Sequence, residues 1–105
     1  MNLKSLSDEF LLQSTKELAR SERELTIKVL HHLREVERRL LYATLSYSSL
    51  FEYAVKELKY SEGSAQRRIS SMRLLKEIPT IEEKIENGTL TLSALSQAQS
   101  FFRQE

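Results

Sequence analysis

The residues best suited to chemistry in this chain lie between positions 59 and 76. Lys59, Arg67, Arg68, Arg73 and Lys76 supply five positive charges there, opposed by Glu62 alone, with Ser61, Ser64 and Gln66 interspersed. Guanidinium forks bind phosphate or the acceptor edge of guanine, and hydroxyl and backbone N–H groups at a helix N-terminus bind phosphate oxygens. On a helical wheel at ~100° per residue, Arg67 falls opposite an Ala65, Ile69 and Met72 stripe, with Ser64, Ser70 and Ser71 to either side. Such an outward face of arginine and short hydroxyl residues can approach a nucleic-acid backbone closely. In that reading Arg67 and Arg68 meet phosphates or base edges, while Lys59, Gln66, Arg73 and Lys76 hold the flanking backbone. Ser61 and Ser64 serve the helix N-terminus. A solvated face whose arginines pair with the acids that follow, Glu77, Glu82, Glu83 and Glu86, accounts for the same residues, and on the residues alone both readings stay open.

Other chemistry finds little support. His31 and His32 are adjacent, so on a helix they point ~100° apart and cannot chelate one ion together; surface positions are expected for both. No pair of acids has the apolar, turn-rich setting that tunes a general acid and base. There is no Gly-rich phosphate loop and no nucleophile elbow. The absence of cysteine removes disulfides, thiolate chemistry and cysteine-based zinc clusters. The expectation is a non-catalytic protein without cofactor, metal or small-molecule substrate.

The elements that position the basic cluster follow from capping and periodicity. At 105 residues the chain can build one core, and with 2 Gly and 1 Pro it has few places to turn, so an all-α single domain of five or six helices is expected. Ser7 before Asp8 and Glu9 opens a first helix to about Arg20 on Phe10, Leu11 and Leu18. Ser21 with Glu24 forms a capping box that suggests a new helix, although nothing between Glu17 and Glu24 forbids one long helix. From Glu22 to about Ala43, Val29, Leu33, Val36 and Leu40 recur at helical spacing, flanked by Leu25, Leu30 and Leu41. Ser49 and Glu52 open a third helix that buries Leu50, Phe51, Ala54, Val55 and Leu58. After a turn at 59–61, Ser61 caps a fourth helix with the inward stripe Ala65, Ile69, Met72 and Leu75 or Lys76. Pro79 stops it. A short helix ends at Asn87-Gly88, and a last one starts at Thr91 or Ser93 and carries Leu95, Ala98, Phe101 and Phe102. Two helices over about 49–78 in this order have the layout of a DNA-reading helix-turn-helix.

A net charge of +1 argues mildly against strong nonspecific nucleic-acid binding, but it hides the local separation between the basic fourth helix and the acidic segment after it. The N-terminus MNLKSLSDEFLL has neither the basic start nor the apolar run of a signal peptide or membrane anchor, so a cytoplasmic protein without membrane contact is expected.

The run EVERRLLYATLSYSSLFEYAVKELKYSEGSAQRRISSMRLLKEIPTIEEKIENGTLTLSALSQA resembles the helical N-terminal region that precedes the nuclease domain in bacterial HNH-endonuclease-type proteins. Its most specific parts are Tyr47 through Tyr53, then Tyr60-Ser61-Glu62 through Arg67-Arg68-Ile69, then Gly88 with Leu90, Leu92 and Ser93. The second half is similar, more loosely, to the DNA-binding region of ParB-like partition proteins. That similarity implies a DNA-facing helix bearing Ser61, Ser64, Gln66, Arg67 and Arg68. Nothing after Leu92 supplies the histidines and asparagine of an HNH metal site, so the resemblance implies the binding part without nuclease activity. The partners expected are double-stranded DNA and a second copy of the chain, since helix-turn-helix proteins commonly act as dimers. The alternative is a helical interaction or dimerisation module acting through Val29, Leu33, Leu74, Phe101 and Phe102.

Overall fold

The computed structural model describes residues 2–103, and side chains as far as residue 99. Within those residues the chain is all-α: a 3-10 turn at Leu3–Ser5 precedes α1 (Asp8–Arg38), α2 (Leu41–Thr44), α3 (Leu50–Lys56), α4 (Glu62–Glu77), α5 (Ile81–Glu86) and α6 (Leu92–Arg103). No helix among the described residues is long and apolar enough to cross a membrane.

α1 begins where expected. The Ser7 hydroxyl accepts from the Phe10 amide at 3.2 Å, and Asp8 and Glu9 sit where the helix dipole favours negative charge. The helix then runs straight through Ser21–Glu24, so the capping box there is not used and the continuous alternative holds. Glu24 pairs instead with Arg20 one turn earlier, at 3.4 Å, and with neither Gly nor Pro in the stretch nothing interrupts the backbone ladder. Arg23 ties this region to the body by donating from Nε to the Glu86 carbonyl at 2.9 Å.

The helix expected to reach Ala43 ends at Arg38. Leu40 takes φ 55°, a left-handed position usually filled by glycine, and the chain turns into the single-turn α2. Glu35 gathers both arginines at this end, accepting from Arg38 Nε at 3.0 Å and from Arg39 Nε at 2.7 Å. The inner face of α1 is Ile27, Leu30 and Leu33, whereas Leu25, Leu40 and Leu41, expected beside the buried stripe, are exposed, and Val29 and Val36 are half-buried. Phe10, Leu11 and Leu18 are exposed as well, because no other element covers the first turns of α1.

The remaining boundaries follow their caps. Ser49 accepts from the Glu52 amide at 3.0 Å, Ser61 from Ser64 at 3.1 Å, and Thr91 from Ala94 at 3.1 Å. Gly88, at φ 84°, closes α5. One hydrophobic cluster joins Ile27, Leu30 and Leu33 of α1, Leu50 and Ala54 of α3, Ala65, Ile69, Met72, Leu74 and Leu75 of α4, Ile85 of α5 and Leu95 of α6. α4 is its centre, with α1, α3 and α6 all packed on it. Phe51 and Leu58, expected in the buried face of α3, are exposed.

Two outcomes are expected from this arrangement. Removing the α4 cap with Ser61→Ala should lower stability by about 1 kcal/mol in urea unfolding. Hydrogen bonds from Arg38 and then Arg39 hold the Glu35 carboxyl down from 4.5 to about 2. A lowered folded-state value contributes stability above the unfolded value of about 4.3, lost as pH falls towards about 2, and the effect is small because the group is solvated. A carbon-13 titration should show Glu35 ionising well below the other glutamates; an ordinary midpoint would mean that the clamp does not persist in solution.

Candidate nucleic-acid interface

α4 does not expose the broad serine and arginine face expected of it. Ser70 is 3 % exposed, Ser71 0 % and Leu74 5 %, because α6 packs along that side. The four successive positions 69–72 are all buried, so the middle of α4 is covered around its circumference. The two inward serines are hydrogen-bonded, which offsets the cost of burying a hydroxyl. Ser71 Oγ donates to the Leu92 carbonyl at 3.3 Å, and Ser70 Oγ accepts from Gln66 Nε2 at 2.9 Å. Periodicity could not reveal this, since serine counts as polar on a helical wheel and yet is small enough to let another helix close upon it.

α4 is accessible at its two ends, and Ser61, Ser64, Gln66 and Arg67 lie at the first. Lys59 is exposed in the turn between α3 and α4, at φ 67°. Ser61 is exposed at the cap, and Glu62, Gly63 and Gln66 are exposed in the first turns. Ser64 and Arg67 are half-buried at the edge of this surface. Arg67 folds back over Gly63, its Nη2 donating to Ser64 Oγ at 3.4 Å. That bond is long and between a cation and a neutral hydroxyl, so the guanidinium can leave it for a stronger anionic partner.

The other basic residues are held differently. Arg68 donates from Nη1 to the Ser64 carbonyl at 3.2 Å, and its guanidinium lies 4.6 Å from the centroid of the Tyr60 ring. Its present role is to fix the turn against the first turn of α4. Arg73 donates to Glu37 of α1 at 2.8 Å, so its partner is not the acidic α5 that the sequence suggested. Lys76 is exposed at the far end, ten residues and about 15 Å along the axis from Gln66. The structure therefore links Ser61, Ser64 and Arg67 by hydrogen bonds at the start of α4, leaves Lys59 and Gln66 exposed before and after them, directs Arg68 to the turn, and sets Arg73 and Lys76 apart. The Tyr60–Arg68 contact was legible only as an aromatic residue eight positions before an arginine, across an uncertain turn.

His31 and His32 are both exposed. The His31 ring meets the Glu82 carboxylate, joining α1 to α5, and His32 Nδ1 lies 2.6 Å from the Lys28 carbonyl one turn back. Of the alternative interface residues, Leu33 and Leu74 belong to the core and cannot serve a partner surface. Val29 is half-buried beside α3, and the Phe101 and Phe102 side chains lie outside the described residues.

A Cβ on Gly63 would meet Arg67 Nη1 at 3.2 Å, the far end of a flexible side chain. Gly63→Ala should accordingly stabilise the fold by roughly 0.5 kcal/mol through helix propensity. A loss of stability in urea unfolding would show instead that Arg67 is pinned in place.

Compared with protein-family models, curated proteins and solved structures, the chain matches none of them.

Proposed function

We propose that this protein binds double-stranded DNA without catalysis, using α3, the turn after it and α4 as a helix-turn-helix. The observation that supports this reading is the placement of Lys59, Ser61, Ser64, Gln66 and Arg67 at the accessible N-terminal end of α4. A helix N-terminus carries partial positive charge and unpaired amides, so a cap serine, a loosely held arginine and a nearby lysine add to an existing attraction for phosphate. Gln66 offers an amide that can pair with an adenine edge once it leaves Ser70. Behind this surface Leu50 and Ala54 of α3 pack into the same core as Ala65 and Ile69, which gives the first turn of α4 a rigid support. The resemblance to the region ahead of HNH nuclease domains, and to the DNA-binding region of ParB-like proteins, supports the same reading. In this reading the contact is made end-on by the first two turns of α4, Arg68 holds the turn, and Arg73 and Lys76 add charge at a distance.

Glu62 works against phosphate within the cluster, since its carboxylate is exposed in the first turn. Both signs can be tested together by fluorescence anisotropy on duplex DNA over a salt series. Lys59→Ala/Arg67→Ala should weaken binding and flatten the log–log salt slope by about two, because two fewer counterions are released. The matched pair Lys16→Ala/Arg20→Ala on α1 should leave that slope alone, and Glu62→Gln should tighten binding. An unchanged slope in the Lys59/Arg67 variant, or no binding at low salt, refutes the reading.

A further inference from the structure

Beside its core face α1 carries a second apolar stripe, which the core covers only in part, at Val29 and Val36. No residue of α1 before Ile27 is buried, and ahead of Arg23, which is bonded to Glu86, the helix projects as an arm of 15 residues, about 22 Å long. The molecule is correspondingly extended, 49 × 32 × 20 Å, with a radius of gyration of 16.4 Å against about 13 Å for a compact chain of this length. Leu11, Leu18 and Leu25 recur every seven residues on this helix, and Val29 and Val36 continue their line. At 100° per residue all five fall within roughly 40° of one another, and they point away from Ile27. Leu18 is 67 % exposed.

The two halves of this stripe differ in a complementary way. Around Leu11 and Leu18 it is a bare ridge. From Leu25 to Val36 it is the floor of an apolar groove whose wall is Tyr53, Leu58 and Tyr60. Charge divides the same way: residues 8–24 carry five acids against three bases, and residues 25–39 carry four bases against two acids.

We propose that this surface takes a second copy of the chain, paired antiparallel along α1 about a two-fold axis. The Leu11–Leu18 ridge of each copy then lies in the groove of the other. One register pairs the Leu11–Leu18 ridge with the two valines of the groove. With Leu18 opposite Val29, Leu11 comes opposite Val36, and the acidic first half of each α1 lies along the basic second half of the other. In the same register Glu22, the charged position within the stripe, lies beside Leu25 of the second copy and one turn from its Lys28. A parallel pairing would set acid against acid and base against base, and would leave both grooves unfilled. A two-fold contact of this kind is self-closing, so it ends at a dimer. The inference does not rest on DNA binding. Leu18 lies nine residues, about 13 Å, before the first buried residue of α1 and outside the α4 surface, so the two can fail separately.

Sedimentation equilibrium tests it. The chain should sediment at twice its 12.3 kDa mass, and Leu18→Glu should return it to 12.3 kDa. Leu12→Glu, the same change on the same arm but off the stripe, should leave the dimer intact. Because the chain has no cysteine, orientation can be read directly. A mixture of Leu18→Cys and Val29→Cys chains, one carrying a mass tag, should oxidise mainly to the mixed disulfide dimer. A native chain that remains 12.3 kDa up to about 1 mM, a dimer that survives Leu18→Glu, or mainly Leu18→Cys self-linked dimers would each overturn the proposal.

Discussion

The packing of three helices around α4 is the constraint on which the rest of the structure depends. α1, α3 and α6 close on it from different sides, and Ile69, Met72, Leu74 and Leu75 of this one helix join the core. Burying each such side chain contributes about 1.5–3 kcal/mol relative to exposure, so α4 holds much of the stability of a domain with a small core. Ser70 and Ser71 make the arrangement possible, being short enough for α6 to approach and able to satisfy their hydroxyls locally. A helix so enclosed cannot offer a long face to a partner. It divides along its length, with the middle in the core and the two ends exposed.

That division depends on the turn before α4. Lys59 sits at positive φ without being glycine, a conformation costing about 1–2 kcal/mol that persists only where neighbouring contacts enforce it. The contacts are visible: the Tyr60 amide donates to the Ala54 carbonyl at 3.1 Å, and Arg68 lies over the Tyr60 ring. The basic residues of this region thus fall into two physical groups. Arg68 and Arg73 are committed to intramolecular partners, and removing them would disturb the fold as well as the charge. Lys59 and Lys76 are exposed and Arg67 is weakly held, so their charge is the part most readily turned outward.

α1 shows the complementary case, a helix with more apolar surface than one molecule covers. Its inner face is anchored by Ile27, Leu30 and Leu33, and further out Arg23 holds it to the end of α5. An isolated helical segment of this length is marginal in water unless something covers its apolar side. Pairing with a second copy would cover the Leu11–Leu18 ridge and fill the groove at Tyr53, Leu58 and Tyr60 in one step. The stripe from Leu11 to Val36 would then be covered along its length.

The amino-acid sequence by itself determined the elements, because caps and punctuation act locally. Ser7, Ser49, Ser61 and Thr91 each satisfy orphan amides within three residues, Pro79 bars a continuing helix, and Gly88 accepts the left-handed turn. It also marked the basic cluster and the Ala65, Ile69, Met72 and Leu75 stripe. The local rules failed at Ser21–Glu24, where a capping box was outweighed by an uninterrupted ladder, and at Leu40, where a left-handed residue without glycine ends α1. Only the tertiary structure decided which faces are covered. Ser70, Ser71 and Leu74 were turned inward by α6, Arg73 went to Glu37 on a helix 36 positions earlier, and Leu11 and Leu18 were left outside. Burial depends on which elements meet, and that is set by the summed packing of distant helices, which no single segment encodes.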